Sequence, residues 1–92
     1  MTGKLFIVAT PIGNLEDLTN RANKTLTEVD FILAEDTRRT RRLLSHIGCN
    51  KKIISLHKFN EEKITERIIK SINLGNNAAL VCDAGTPLLS DP

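Results

Sequence analysis

The chain has 92 residues, 40% of them apolar and 26% charged, with a formal net charge of +2. That is one small domain, neither disordered nor low in complexity, and its charge alone does not argue for nucleic acid. Tyr and Trp are absent and there are three Phe, which speaks against a platform that stacks several bases. The longest apolar runs, Leu5 to Ala9 and Ala78 to Cys82, fall far short of the ~20 residues that span a bilayer, and the first is too short for a secretory leader. We therefore expect a cytoplasmic chain with no membrane partner. Cys49 and Cys82 lack metal or redox spacing, so we expect free thiols and no metal site. The chain stops at Leu88-Leu89-Ser90-Asp91-Pro92, straight after a Gly-Thr-Pro turn, and we expect a domain fragment.

Strand and helix signals alternate from the start. Lys4 to Ala9 predicts a buried strand, closed by the breaker loop Thr10-Pro11-Ile12-Gly13-Asn14. Leu15, Leu18, Ala22, Leu26 and Val29 then recur at helical spacing, with Asp17 as a first-turn or cap residue. Asp30 to Ala34 predicts a second strand. Thr40, Leu43, Leu44 and Ile47 form a second helical stripe, which Gly48 ends. Lys52 to Leu56 predicts a third strand. Asn60 is placed to cap a third helix, with Glu61 and Glu62 complementing its dipole. Ile64, Ile68, Ile69 and Ile72 supply its apolar face and Gly75 its end. Ala78 to Cys82 predicts a fourth strand. The order is βαβαβαβ, an α/β fold. Uniformly apolar strands between amphipathic helices predict a parallel sheet with helices on both faces. Ligands of such sheets bind at the carboxyl ends of the strands.

The loops at those ends hold the unusual residues. After strand 1, Pro11 and Gly13 make a tight turn that serves either as a plain connection or as a close backbone approach to a ligand. After strand 2 comes Glu35-Asp36-Thr37-Arg38-Arg39-Thr40-Arg41-Arg42. At 100° per residue the four arginines span an arc of about 160°, opposite Thr40, Leu43, Leu44 and Ile47. Two readings stand for that face: a solvated surface, or a contact for phosphates, whose oxygens match the guanidinium fork. Asp36 either caps the helix or, with Glu35, holds an arginine or faces a cationic ligand. After strand 3, His57 is a candidate base or a structural histidine, and His46 sits where it interacts with a helix C-terminus. After strand 4, Asp83-Ala84-Gly85-Thr86-Pro87 reads as a ligand loop. It is neither a Walker loop nor a Rossmann fingerprint.

Taken in order, these motifs resemble a known family. Val8-Ala9-Thr10-Pro11-Ile12-Gly13-Asn14-Leu15-Glu16-Asp17, Ala34-Glu35-Asp36-Thr37-Arg38 with Arg42-Leu43-Leu44, Ser55-Leu56-His57 with Asn60-Glu61, and Leu80 to Pro92 are similar to the motifs of the bacterial ribosomal small-subunit RNA ribose 2′-O-methyltransferase I family. That family belongs to the tetrapyrrole (corrin/porphyrin) methylase superfamily. The resemblance implies an S-adenosylmethionine-dependent enzyme of two α/β domains with the cofactor in the cleft between them. Residues 1–92 would then be an incomplete N-terminal domain. It implies methyl transfer to a cytidine ribose 2′-hydroxyl in 16S rRNA of the small ribosomal subunit, by a homodimer. Thr10, Pro11, Gly13, Asn14, Asp83, Ala84, Gly85, Thr86 and Pro87 would form one wall of the cofactor site, mainly through backbone. Asp36, Glu35 and His57 would be the candidate bases, and the phosphate reading of the face of Arg38, Arg39, Arg41 and Arg42, made from the residues themselves, fits an RNA substrate. Tetrapyrrole members carry Gly-Asp-Pro after strand 4, where this chain has Gly85-Thr86-Pro87, which argues against a porphyrin or corrin substrate. The alternatives are a non-catalytic RNA- or nucleoside-binding module and a tetrapyrrole-precursor methyltransferase.

Overall fold

A computed structural model describes residues 2–10, 15–57 and 61–83 of the chain. Four strands, β1 (Leu5–Thr10), β2 (Phe31–Ala34), β3 (Lys52–Ser55) and β4 (Ala78–Asp83), alternate with three α-helices, α1 (Asn20–Glu28), α2 (Thr37–His46) and α3 (Glu61–Asn73). All pairings are parallel and the strand order is β1-β4-β2-β3. The α/β fold read from the sequence is thus the fold observed. Among the described residues no helix is long and apolar enough to cross a membrane.

Handedness explains which helix lies on which face. β1 to β2 and β2 to β3 both step in one direction across the sheet, and β3 to β4 steps back. A right-handed crossover that reverses direction must put its helix on the opposite face. The buried side chains agree, because strand side chains alternate between faces. Ile32 and Ala34 of β2 and Ala79 and Val81 of β4 join Leu26 of α1 and Leu43 and Leu44 of α2 in one core cluster. Phe31 and Leu33 of β2 and Ala78 of β4 join Ile68 of α3 in the other. β2, flanked on both sides and covered on both faces, is buried at every position.

Three expectations need correction. The stripe from Leu15 to Val29 is not one helix. Leu15–Asp17 forms a short 3-10 helix, and α1 begins only at Asn20. Its N-cap is Thr19, whose side-chain oxygen accepts from the Ala22 N–H at 3.1 Å, so Asp17 is not the cap. Leu15, Leu18 and Ala22 still pack against the core, which is why they keep helical spacing across the break. Ile69 does not share the apolar face of α3: it is 53% exposed, while Ile68 is buried. Its position 100° round the helix from Ile68 carries it off the sheet. Nor is the sheet covered on both faces throughout. Leu5 and Ile7 of β1 are 46% and 42% exposed, because β1 is an edge strand among the described residues and α3 spans β2, β3 and β4 but not β1; Phe6, on the opposite face with Val8, is 38% exposed at the same edge.

The amino edge of the sheet is clamped. Asn77 bridges the β1 and β2 sides: its Oδ1 accepts from the Lys4 N–H at 2.8 Å and its carbonyl from the Asp30 N–H at 2.8 Å. Its own N–H donates to Asp30 Oδ2 at 2.7 Å. Gly3 passes so close that a Cβ there would collide with the Asn76 carbonyl. Helices α2 and α3 end in turns where Gly48 and Gly75 take φ of +73° and +105°, a region costly for side chains other than glycine. Both glycines were legible as helix ends.

Candidate functional site

Parallel pairing brings all four carboxyl ends to the edge opposite that clamp. In register, Ala34 lies between Val81 and Ser55, and Thr10 lies opposite Asp83. Two residues past Val81, Ala34 and Ser55 come Asp83, Asp36 and His57. With strands about 4.8 Å apart, these four chain ends leave the sheet within a row of about 14 Å. The connections out of β2 and β3 depart toward opposite faces, which opens a crevice between them at this edge. Its floor is closed by the Leu56 N–H donating to the Ala34 carbonyl at 2.9 Å.

Glu35 and Asp36 stand on one side of the crevice and His57 on the other, all three exposed. The candidate bases are therefore gathered at one edge. Asp36 has a structural task as well. Its backbone is extended, at φ −102° and ψ 91°, and its Oδ1 accepts from the Arg39 N–H at 2.9 Å, capping α2. The capping reading of Asp36 is the one observed, and one of its carboxylate oxygens is taken up by it.

Thr10 and Asp83 end neighbouring strands, the position expected for the two cofactor loops. Thr10 is only 4% exposed, and its hydroxyl donates to the Cys82 carbonyl at 3.2 Å. Its side chain therefore ties β1 to β4, and a ligand at this point would meet backbone. The other cofactor-loop candidates, Pro11, Gly13, Asn14, Ala84, Gly85, Thr86 and Pro87, lie outside the described residues, as does the proposed cap Asn60. Cys49 and Cys82 form no disulfide and are half-buried, and their thiols donate to the Leu26 and Val8 carbonyls at 3.7 Å.

The arginine face is real in three dimensions. Thr40, Leu43 and Leu44 are buried under α2, Arg38, Arg41 and Arg42 are exposed, and Arg39 is half-buried. Two adjoining clefts run along the helix. One, of about 340 Å³, is lined by Leu15, Asp36, Arg38, Arg39 and Arg42. The other, of about 500 Å³, is lined by Leu15, Arg38, Arg41, Arg42, Ser45 and His46. Sequence reasoning missed Leu15 and Ser45 here and assigned His46 only to the helix end. Leu15 carried no signal for this role, since it lies far from α2 in the chain and meets it only because α1 and α2 share a face.

A doubly wound parallel sheet whose strand carboxyl ends meet at one edge is the architecture of an α/β domain, and it is at this edge that such sheets receive ligands. The tetrapyrrole (corrin/porphyrin) methylase family matches residues 4–92, and the chain belongs to that family. Among named relatives, it is 52% identical to ribosomal RNA small subunit methyltransferase I of Haemophilus influenzae, over all of this chain and 32% of that protein. It is 56% identical to the protein of the same name from Xylella fastidiosa, over 98% of this chain and 33% of that one. The Thermotoga maritima protein of that name is 53% identical over 98% of this chain and 40% of its own length. The chain spans about a third of the length of most of the curated relatives it matches.

Proposed function

We propose that the protein is an S-adenosylmethionine-dependent methyltransferase acting on the ribose 2′-hydroxyl of a cytidine in 16S rRNA. The observation that carries this is the meeting of Glu35, Asp36 and His57 at the carboxyl edge where Thr10 and Asp83 also end, in a chain of this family. The relatives' shared name supports a small-subunit rRNA substrate. The residues fit the cofactor in two respects. The ends of β1 and β4 offer backbone to a nucleoside, and two carboxylates on the same edge complement a sulfonium.

When bound, S-adenosylmethionine supplies a methyl group on a sulfur that departs as a neutral thioether. This chain's own share is to hold the ribose hydroxyl in line and to accept its proton. Glu35, the free oxygen of Asp36 and the His57 imidazole are the acceptors within reach of that edge. In this reading Thr10, Pro11, Gly13, Asn14 and Asp83 to Pro87 would form the cofactor wall.

Residues 1–92 form, in this reading, the N-terminal α/β part of a two-domain cytoplasmic protein. The exposed edge of β1 supports it. A right-handed crossover leaving β4 toward that side runs on the face of α3, where it would cover Leu5 and Ile7. The homodimer is carried by the family resemblance, and a monomer in sedimentation equilibrium overturns it.

Titration calorimetry of the full-length protein with S-adenosylmethionine and S-adenosylhomocysteine tests the central claim, alongside mass spectrometry of nuclease-digested small-subunit RNA after incubation. Binding of the cofactor and a cytidine heavier by one ribose methyl are expected. A full-length protein that binds neither nucleoside sinks the proposal. RNA binding with no cofactor binding would favour the non-catalytic module.

A further inference from the structure

The clefts beside α2 meet the crevice between β2 and β3 at Asp36 and run away from it along the helix. α2 begins at that edge with its Asp36 cap and runs back toward the amino edge. Its ten residues rise about 15 Å. The two clefts share Leu15, Arg38 and Arg42 as a common wall, so they form one groove along the whole helix. Among the described lining residues, four arginines and His46 stand against one carboxylate, Asp36. That carboxylate already accepts the Arg39 N–H, so the helix N-terminus is occupied and the positive field comes from side chains.

The outer face of α3 shows what solvation alone looks like in this protein. It alternates Glu62, Lys63, Glu66, Arg67 and Lys70, whereas α2 has no acidic residue from Thr37 to His46. Exposed guanidinium groups of one sign along a groove attract a run of anions, and their forked donors match phosphate oxygens.

We propose that the groove between Leu15 and the outer face of α2 is a track for the sugar–phosphate backbone of RNA, with Arg38, Arg41 and Arg42 as the phosphate ligands. The strand enters at the Asp36 end, so these phosphates flank the nucleotide held at the carboxyl edge and contribute affinity without reading sequence. Leu15 walls the groove and offers no charge to compete. Only the identity of the RNA and the placing of the target nucleotide rest on the methyltransferase reading; the charge and shape of the groove do not.

The test uses full-length protein, a small-subunit rRNA fragment and an unrelated RNA of equal length. Affinity is read by fluorescence anisotropy between 50 and 200 mM salt, conditions over which phosphate contacts weaken steeply. Arg38→Ala with Arg42→Ala is expected to weaken both RNAs by about tenfold and to flatten the log–log salt slope by about 1.4, or about 0.7 for each phosphate lost. Arg41→Gln should flatten it by about half as much. Arg38→Lys with Arg42→Lys should retain most of the slope, because charge remains while the fork is lost. S-adenosylmethionine affinity should be unchanged in all variants. Unchanged RNA affinity and slope in both the alanine and the glutamine variants overturns the track. A loss confined to one RNA sequence overturns the backbone assignment. If wild-type protein fails to bind S-adenosylmethionine, the methyltransferase reading falls and the salt titration still decides the groove.

Discussion

α2 and α3 pack on opposite faces of one sheet and divide their surfaces differently. α2 buries Thr40, Leu43 and Leu44, with Ile47 packed beside them, and turns Arg38, Arg41 and Arg42 outward with Arg39 half-buried. α3 buries Ile68, has Ile64 and Ile72 only half-buried, and leaves Ile69 53% exposed. Its outward charges are mixed in sign. α2 is thus held firmly from below and carries an outer face of a single charge sign. α3 is held less firmly and carries an ordinary one. A helix that must present several charges to a ligand at fixed spacing gains from a rigid seat, since loosely held groups lose more entropy on binding.

The sharpest way to break this comparison is at the seats of the two helices. Leu43→Ala should destabilise the chain by about 3 kcal/mol and Ile68→Ala by about 2 kcal/mol, both read from guanidinium unfolding. Both remove buried aliphatic volume, but Leu43 sits at 2% exposure in the larger cluster and Ile68 at 8% in the smaller. Equal losses, or a larger one at Ile68, would dissolve the contrast.

A smaller effect is expected at Asp36. Asp36→Ala should cost about 1 kcal/mol by removing the cap, while Asp36→Asn should keep the cap and stay within about 0.5 kcal/mol of wild type. The asparagine variant then isolates the proton-acceptor role in the full-length protein. Lowered turnover with unchanged stability supports that role, and full activity removes Asp36 from the candidates. Smallest of all, Ile69→Ala should change stability by no more than about 0.5 kcal/mol. A loss near that of Ile68→Ala would mean that Ile69 is covered.

Much of the candidate site was legible before folding because its signals are local. Asp36 caps α2 through a bond that spans three residues, and Gly48 ends it within one turn. The arginine arc follows from 3.6 residues per turn. The break between Leu15 and Asn20 was not legible, because its hydrophobic positions satisfy the period of a continuous helix. Only the capping bond from Ala22 to Thr19 shows where α1 starts. The exposure of Ile69 was hidden for a related reason. An apolar residue on the flank of a stripe is buried or bare according to how far the neighbouring sheet extends.

By itself, then, the sequence determined the alternation of elements, the glycine ends of α2 and α3, the one-signed face of α2 and the family. These depend on interactions within a turn or on motifs read in order. The tertiary structure alone decided that β4 inserts between β1 and β2, and hence that Thr10 ends beside Asp83 while His57 ends beside Glu35 and Asp36. It also decided that Leu15 walls the arginine groove and that Leu5 and Ile7 stay bare. Strand order is set by which apolar surfaces meet across the whole chain, a choice that no local propensity encodes, and the right-handed crossover then assigns each helix its face.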